Sequence, residues 1–123
     1  MSYITSTILG SFNGANMNST SDQAIAINAS RYIIRKIIVN NASTSLTLAV
    51  GGLYTGAGKT GTTVVAATQV YSALTGSTKY IDLTPASAIT TDILTASTIY
   101  FALTTAQGSA ATADIFIIGD ILK

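Results

Sequence analysis

The sequence lacks cysteine, histidine and tryptophan, and all five of its acidic residues are aspartates. Each absence removes a class of chemistry. Without histidine or cysteine there is no zinc site of the usual kind, no histidine-ligated haem, no thiol nucleophile and no Ser-His-Asp triad. Without glutamate there is no ordinary Glu general acid. Charge is scarce as well: 9 % of the 123 residues are charged, against about 25 % in typical soluble domains. A formal net charge of +1 gives no electrostatic footprint for nucleic acid, whose phosphates demand clustered Lys and Arg. The one basic cluster, Arg31, Arg35 and Lys36, lies in an isoleucine-rich run and reads as the polar face of a strand. Apolar runs are short and interrupted, far from the roughly 20 residues of a membrane helix. The N-terminus has neither the basic start nor the long apolar stretch of a signal peptide. These absences argue against an enzyme, a cofactor, a nucleic-acid partner and a membrane partner.

What the sequence does contain is Thr (20), Ala (18), Ile (16) and Ser (13). A chain of this length makes one domain by the usual scaling. Thr, Ile and Val carry two substituents on Cβ and suit a pleated sheet, while good formers of exposed helices are scarce. The expectation is an all-β fold: an antiparallel, jelly-roll-like β-sandwich of seven or eight short strands. Residues 1–21 read as an N-terminal strand or arm followed by a flexible loop, and residues 22–123 as a single sandwich domain.

Along the chain, residues 3–9 alternate loosely as a first strand, and the Gly/Asn/Ser-rich 10–21 reads as a loop. Residues 22–29 alternate well. Residues 32–39 form the strongest strand, yet neither face is cleanly polar, which predicts a bulge or two-sided burial. Asn40 and Asn41 mark a turn, since Asn tolerates the left-handed region. Residues 44–54 read as a strand ending in a bend or bulge at Gly51 and Gly52. Part of 64–74 reads as a strand, because residues 70–75 echo residues 99–104. Residues 79–84 form a short strand, with Ile81 and Leu83 facing one way and Tyr80 and Asp82 the other, ended by Pro85; residues 85–95 are a connection with room for one helical turn, and 97–104 a strand with Ile99, Phe101 and Leu103 inward. The last strand covers 113–118 and breaks at Gly119 and Asp120.

Few motifs tempt a chemical reading. Gly56-Ala57-Gly58-Lys59-Thr60-Gly61 contains Gly-Lys-Thr, but the phosphate-binding loop needs a glycine at the position of Leu53, and strand-forming residues follow where a helix is required. The dinucleotide pattern fails for the same reason. A hairpin tip, with glycines at positive φ, explains the segment. Asp82, Asp92, Asp114 and Asp120 lack the dense spacing of a calcium loop and read as solvated or backbone-capping acids. The six tyrosines read as core or rim residues, with sugar stacking as the competing role. The sequons at Asn18, Asn28 and Asn41 are expected by chance in a chain rich in Asn, Ser and Thr.

The surface such a composition makes is tiled with Thr, Ser, Ala and Gly, and it suits close contact with another protein. The loose segments 10–21 and 55–62 are the candidates to order on a partner. Within the N-terminal segment and the hairpin, the candidate partner-binding residues are Tyr3, Ile4, Phe12, Asn13, Tyr54, Gly56, Gly58 and Lys59. From Arg31 onward the chain also resembles a known group. Lys36-Ile37-Ile38-Val39-Asn40-Asn41-Ala42, Gly52-Leu53-Tyr54-Thr55, Tyr80-Ile81-Asp82-Leu83-Thr84 and Ala110-Ala111-Thr112-Ala113-Asp114-Ile115-Phe116-Ile117-Ile118-Gly119-Asp120 are similar to small β-sandwich virion proteins of tailed bacteriophages. Capsid decoration or cement proteins match best in size. The likeness spans roughly residues 31–122 and rests on strand patterns, not catalytic signatures. It implies a non-enzymatic protein on the phage head surface, made in the host cytoplasm. Its implied partners are the major capsid protein and further copies of itself, as a dimer or trimer. The competing expectation is a carbohydrate- or receptor-binding module of a fibre or tail.

Overall fold

A computed structural model describes residues 3–75 and 77–122, with the side chains of residues 3–5 outside the description. Eight strands follow in order: β1 (Tyr3–Asn16), β2 (Gln23–Ala26), β3 (Tyr32–Asn40), β4 (Val50–Gly56), β5 (Thr60–Val65), β6 (Tyr80–Leu83), β7 (Thr98–Thr105) and β8 (Thr112–Leu122). The first strand pairs with the last, the second with the seventh, the third with the sixth and the fourth with the fifth, all antiparallel. That nested pairing is a long hairpin of paired strands. Rolling it up adds the pairs β3–β8 and β4–β7. Two four-stranded sheets result, β1-β8-β3-β6 and β2-β7-β4-β5. This is a jelly-roll β-sandwich.

One apolar core fills the space between the sheets. Alternation places it: Tyr32, Ile34, Ile37 and Val39 of β3, Ile99, Phe101 and Leu103 of β7, and Ala113, Ile115 and Ile117 of β8 all point inward and are buried. Each fully buried large aliphatic side chain contributes about 1.5–3 kcal/mol relative to exposure. Tyr71 meets Phe101 edge-on, with ring centroids 6.2 Å apart and planes at 88°, and its hydroxyl donates to the Gly51 carbonyl at 3.0 Å. Tyr32 donates to the Ala96 carbonyl at 2.6 Å. Burial pushes the Tyr32 hydroxyl up to about 12.

Several boundaries differ from the sequence expectation, each for a physical reason. Residues 10–16 are strand, not loop: β1 runs on to Asn16, with register shifts after Ile4, Ile8 and Phe12. These bulges let a stretch rich in Gly and Asn follow β8, with Ser6 at φ 50° and Gly14 at φ 73°. Residues 44–49 are irregular, although Leu46 and Ala49 are buried while Leu48 is exposed. Strand β4 starts only at Val50, with a register shift before Gly51. The echo between 70–75 and 99–104 is not structural. Only Val70 makes a bridge, to Val50, and Leu74 turns back to donate its N–H to Tyr71. Gly119 and Asp120 do not break β8, which continues to Leu122. Gly119 lies where a Cβ would meet the Ile33 carbonyl oxygen and, at 3.0 Å, the Leu9 side chain. A close approach of backbones, not a turn, explains this glycine.

Other expectations match. Asn41 takes the left-handed conformation at φ 54°, a single 3-10 turn occupies Ser87–Ile89, and Leu83 faces inward while Tyr80 and Asp82 face out.

Two outcomes test this account. Because β1 supplies buried Leu9 and Ala15, with Met17 just beyond its end, removing residues 1–21 is expected to abolish cooperative unfolding in urea. A truncated chain that melts cooperatively refutes the assignment of β1 as an integral strand. Gly119→Ala is expected to lower stability by about 3 kcal/mol through overpacking against backbone, read from urea midpoints.

Candidate functional site

The hairpin tip and the loop between β1 and β2 meet. The pair Gly56–Thr60 closes the β4–β5 hairpin around Ala57, Gly58 and Lys59. Gly58 and Lys59 sit at φ 71° and 61°, and the Thr60 hydroxyl donates to the Ala57 carbonyl at 2.7 Å. The Gly58 N–H donates to the Asp22 carboxylate at 2.8 Å. Gly56, Gly58 and Lys59 therefore form one turn, docked on the residue that precedes β2. Strands flank the Gly-Lys-Thr on both sides, as its spacing predicts for a hairpin.

The remaining candidate residues separate from that turn. Tyr54 lies in β4 and is buried. Its hydroxyl has no hydrogen-bond partner among the described residues, and burial raises its pKa. Phe12 is half-buried against the core. Asn13 follows it, exposed, where β1 changes register. Tyr3 and Ile4 pair with Leu122 and Ile121 at the start of β1; their side chains lie outside the described residues.

Three aspartates take up backbone N–H groups. Besides Asp22, Asp120 accepts the Ser6 N–H at 3.1 Å and the Arg35 Nε–H at 2.9 Å. Asp114 accepts the Gly14 N–H at 2.7 Å and the Asn41 amide at 3.1 Å. Ser6 and Gly14 are the positive-φ residues of the β1 bulges, so each carboxylate satisfies a donor that the ladder leaves over. The Arg35 guanidinium, then the Ser6 N–H, hold the Asp120 carboxyl below its ordinary value.

Gln107 has a part that sequence reasoning missed. It is buried, accepts the Leu48 and Ala49 N–H groups at 2.9 and 3.2 Å and donates to the Thr47 hydroxyl at 3.1 Å. Its own N–H donates to the Met17 carbonyl at 2.9 Å. One residue thus ties together three connections, β3–β4 through its side chain and β1–β2 through its backbone, from its own place between β7 and β8. A lone Gln in a small-residue loop carries no sequence signal for that role.

The outward face of the β1-β8-β3-β6 sheet was missed too. Register aligns Ile8, Ile118 and Lys36 in one cross-strand row, and Ser11, Phe116, Ile38 and Asp82 in the next. Ile8 is 50 % exposed, and Ile38, Phe116 and Ile118 are partly exposed. A signal for this face was in the sequence: β3 is apolar on both sides. The predicted bulge is present, between Ile34 and Lys36, and the second apolar side faces out.

Among the tyrosines with described side chains, Tyr32, Tyr54 and Tyr71 are buried, Tyr100 is half-buried and Tyr80 is exposed. They make no outward row. A cavity of about 120 Å³, lined by Asn41, Ala42, Thr75, Thr78 and Lys79, contains none of the candidate residues. No family model, curated protein or solved structure matches the chain.

The Asp120 strap predicts an acid dependence. Its folded pKa lies below the unfolded value of about 3.9, so its contribution is full above that pH and fades as pH falls through the folded value. The stability advantage of the wild type over Asp120→Asn is expected to shrink between about pH 6 and pH 2. Urea midpoints at the two pH values check this, and an unchanged difference refutes the strap.

Proposed function

We propose that this chain is a non-enzymatic structural protein that works by lying against other protein surfaces. Following the likeness of residues 31–122, we place it on the head of a tailed bacteriophage as a decoration or cement protein. Its partners in this reading are the major capsid protein and further copies of itself. The observation that supports it best is the use of charge. Of the five acids in the chain, Asp22, Asp114 and Asp120 are engaged by main-chain donors, and Arg35 is engaged by Asp120. With only 9 % of its residues charged, the chain has little charge to be stripped of water when a partner approaches. Contact then rests on apolar packing and backbone hydrogen bonds, which salt screens weakly. The turn Gly56–Lys59, held by Asp22, is the proposed attachment point. The fibre or tail reading needs a row of exposed tyrosines, and among the tyrosines with described side chains Tyr80 alone is exposed.

Purified chain mixed with phage heads that lack it provides the test. Co-sedimentation is expected to persist in about 1 M salt, where the Debye length is about 3 Å. Asp22→Ala is expected to reduce occupancy while leaving the unfolding midpoint nearly unchanged. Release of the wild-type chain at moderate salt, or no binding at all, overturns the reading.

A further inference from the structure

We propose that the outward face of the β1-β8-β3-β6 sheet packs on the same face of a second copy of this chain, about a two-fold axis that runs across the strands. This deepens the homo-oligomer part of the reading above by naming the mating surface. It rests on that face and needs no capsid.

Two properties of the face support it. The first is its apolar centre. Ile118 and Ile8 lie in one row, Phe116 and Ile38 in the next, and no other part of the described chain closes over Ile8, half of whose surface is open. Four strands spaced about 4.8 Å apart, with β3 nine residues long, give roughly 600 Å² of projected area. That approaches the scale of a standard interface, about 800 Å² of accessible surface per partner.

The second property is the placement of charge, and it selects the partner. Lys36 stands at one end of the face, beside the Arg35–Asp120 pair, whose charges offset each other. Asp82 stands in the Ile38 row, and Asp114 one row further on, opposite Asn40. The face is basic at one end and acidic at the other, with the isoleucines and Phe116 between. A two-fold axis across the strands, passing between the Ile118 row and the Phe116 row, reverses one copy end for end. It lays Ile118 of each copy on Phe116 of the other. It also carries Lys36 over the row that holds Asp82 of the second copy. Every such contact occurs twice, as a self-complementary interface requires. An axis parallel to the strands does the opposite: it brings Lys36 toward Lys36 and Asp82 toward Asp82. Like charges facing one another across an interface are costly, so the charge pattern sets the orientation while the apolar centre supplies the affinity.

Sedimentation equilibrium of the full chain, over about 1 μM to 1 mM, tests the proposal. The expected mass tends to twice 12.6 kDa as concentration rises. Ile118→Asp is expected to weaken association by about thirtyfold or more. Lys36→Asp and Asp82→Lys, both at exposed positions, are each expected to weaken it about tenfold. The double exchange is expected to restore it to within about threefold. A monomer at every concentration, a trimer, a dimer indifferent to Ile118→Asp, or a double exchange no better than either single change overturns the proposal. Head binding is read separately. A monomeric chain that still co-sediments with heads refutes the dimer and leaves the attachment reading standing.

Discussion

The first sheet depends on two carboxylates carried by one strand. β8 lies between β1 and β3 and pairs with both. β1 cannot follow it residue for residue, because three register shifts interrupt the ladder. At two of the shifts a positive-φ residue, Ser6 or Gly14, turns its N–H away from the ladder. Asp120 and Asp114, six positions apart on the outward side of β8, reach the Ser6 and Gly14 N–H groups. With their second oxygens they also hold Arg35 of β3 and Asn41 just beyond it. Each carboxylate therefore spans three consecutive ribbons of chain. These contacts reinforce the nested pairing of first strand with last at the irregular points of the ladder.

That arrangement explains what the sequence disclosed and what it withheld. Alternation in 98–105 and 80–83 is a local property, and it placed Ile99, Phe101, Leu103 and Leu83 on the core side correctly. The hairpin around Gly58 and the turn at Asn41 were legible for the same reason, since positive φ is encoded by the residue that adopts it. The continuation of β1 through residues 10–16 was not legible. Its Gly and Asn residues signal a loop, and only β8, about a hundred residues away, supplies the donors, acceptors and carboxylates that make it a strand. Gly119 misled in the opposite sense, because the Ile33 backbone excludes any side chain there. The likeness of 70–75 to 99–104 misled because Tyr71 and Leu74 reach the core from an irregular segment instead of a strand. Of the candidate site, the turn at Gly56–Lys59 was visible in sequence, whereas its docking on Asp22 and the engagement of Gln107 depend on tertiary contacts.

The scarcity of charge has a further consequence once the acids are placed. A protein with many acids can satisfy bulges with some and keep others for solubility. This chain has five, and three are committed to its own backbone. Its outward faces must then be made from hydroxyls, alanine and the residual apolar side chains of strands that have no polar alternative. Sheet β1-β8-β3-β6 shows the result: isoleucines on both sides of β3, with the remaining charge divided between the two ends of the face. On an isolated domain such a face is an aggregation hazard, since nothing in a flat apolar sheet limits how a neighbour docks. In the proposed dimer, Lys36 at one end and Asp82 at the other would supply that limit, favouring one reversed alignment over the others.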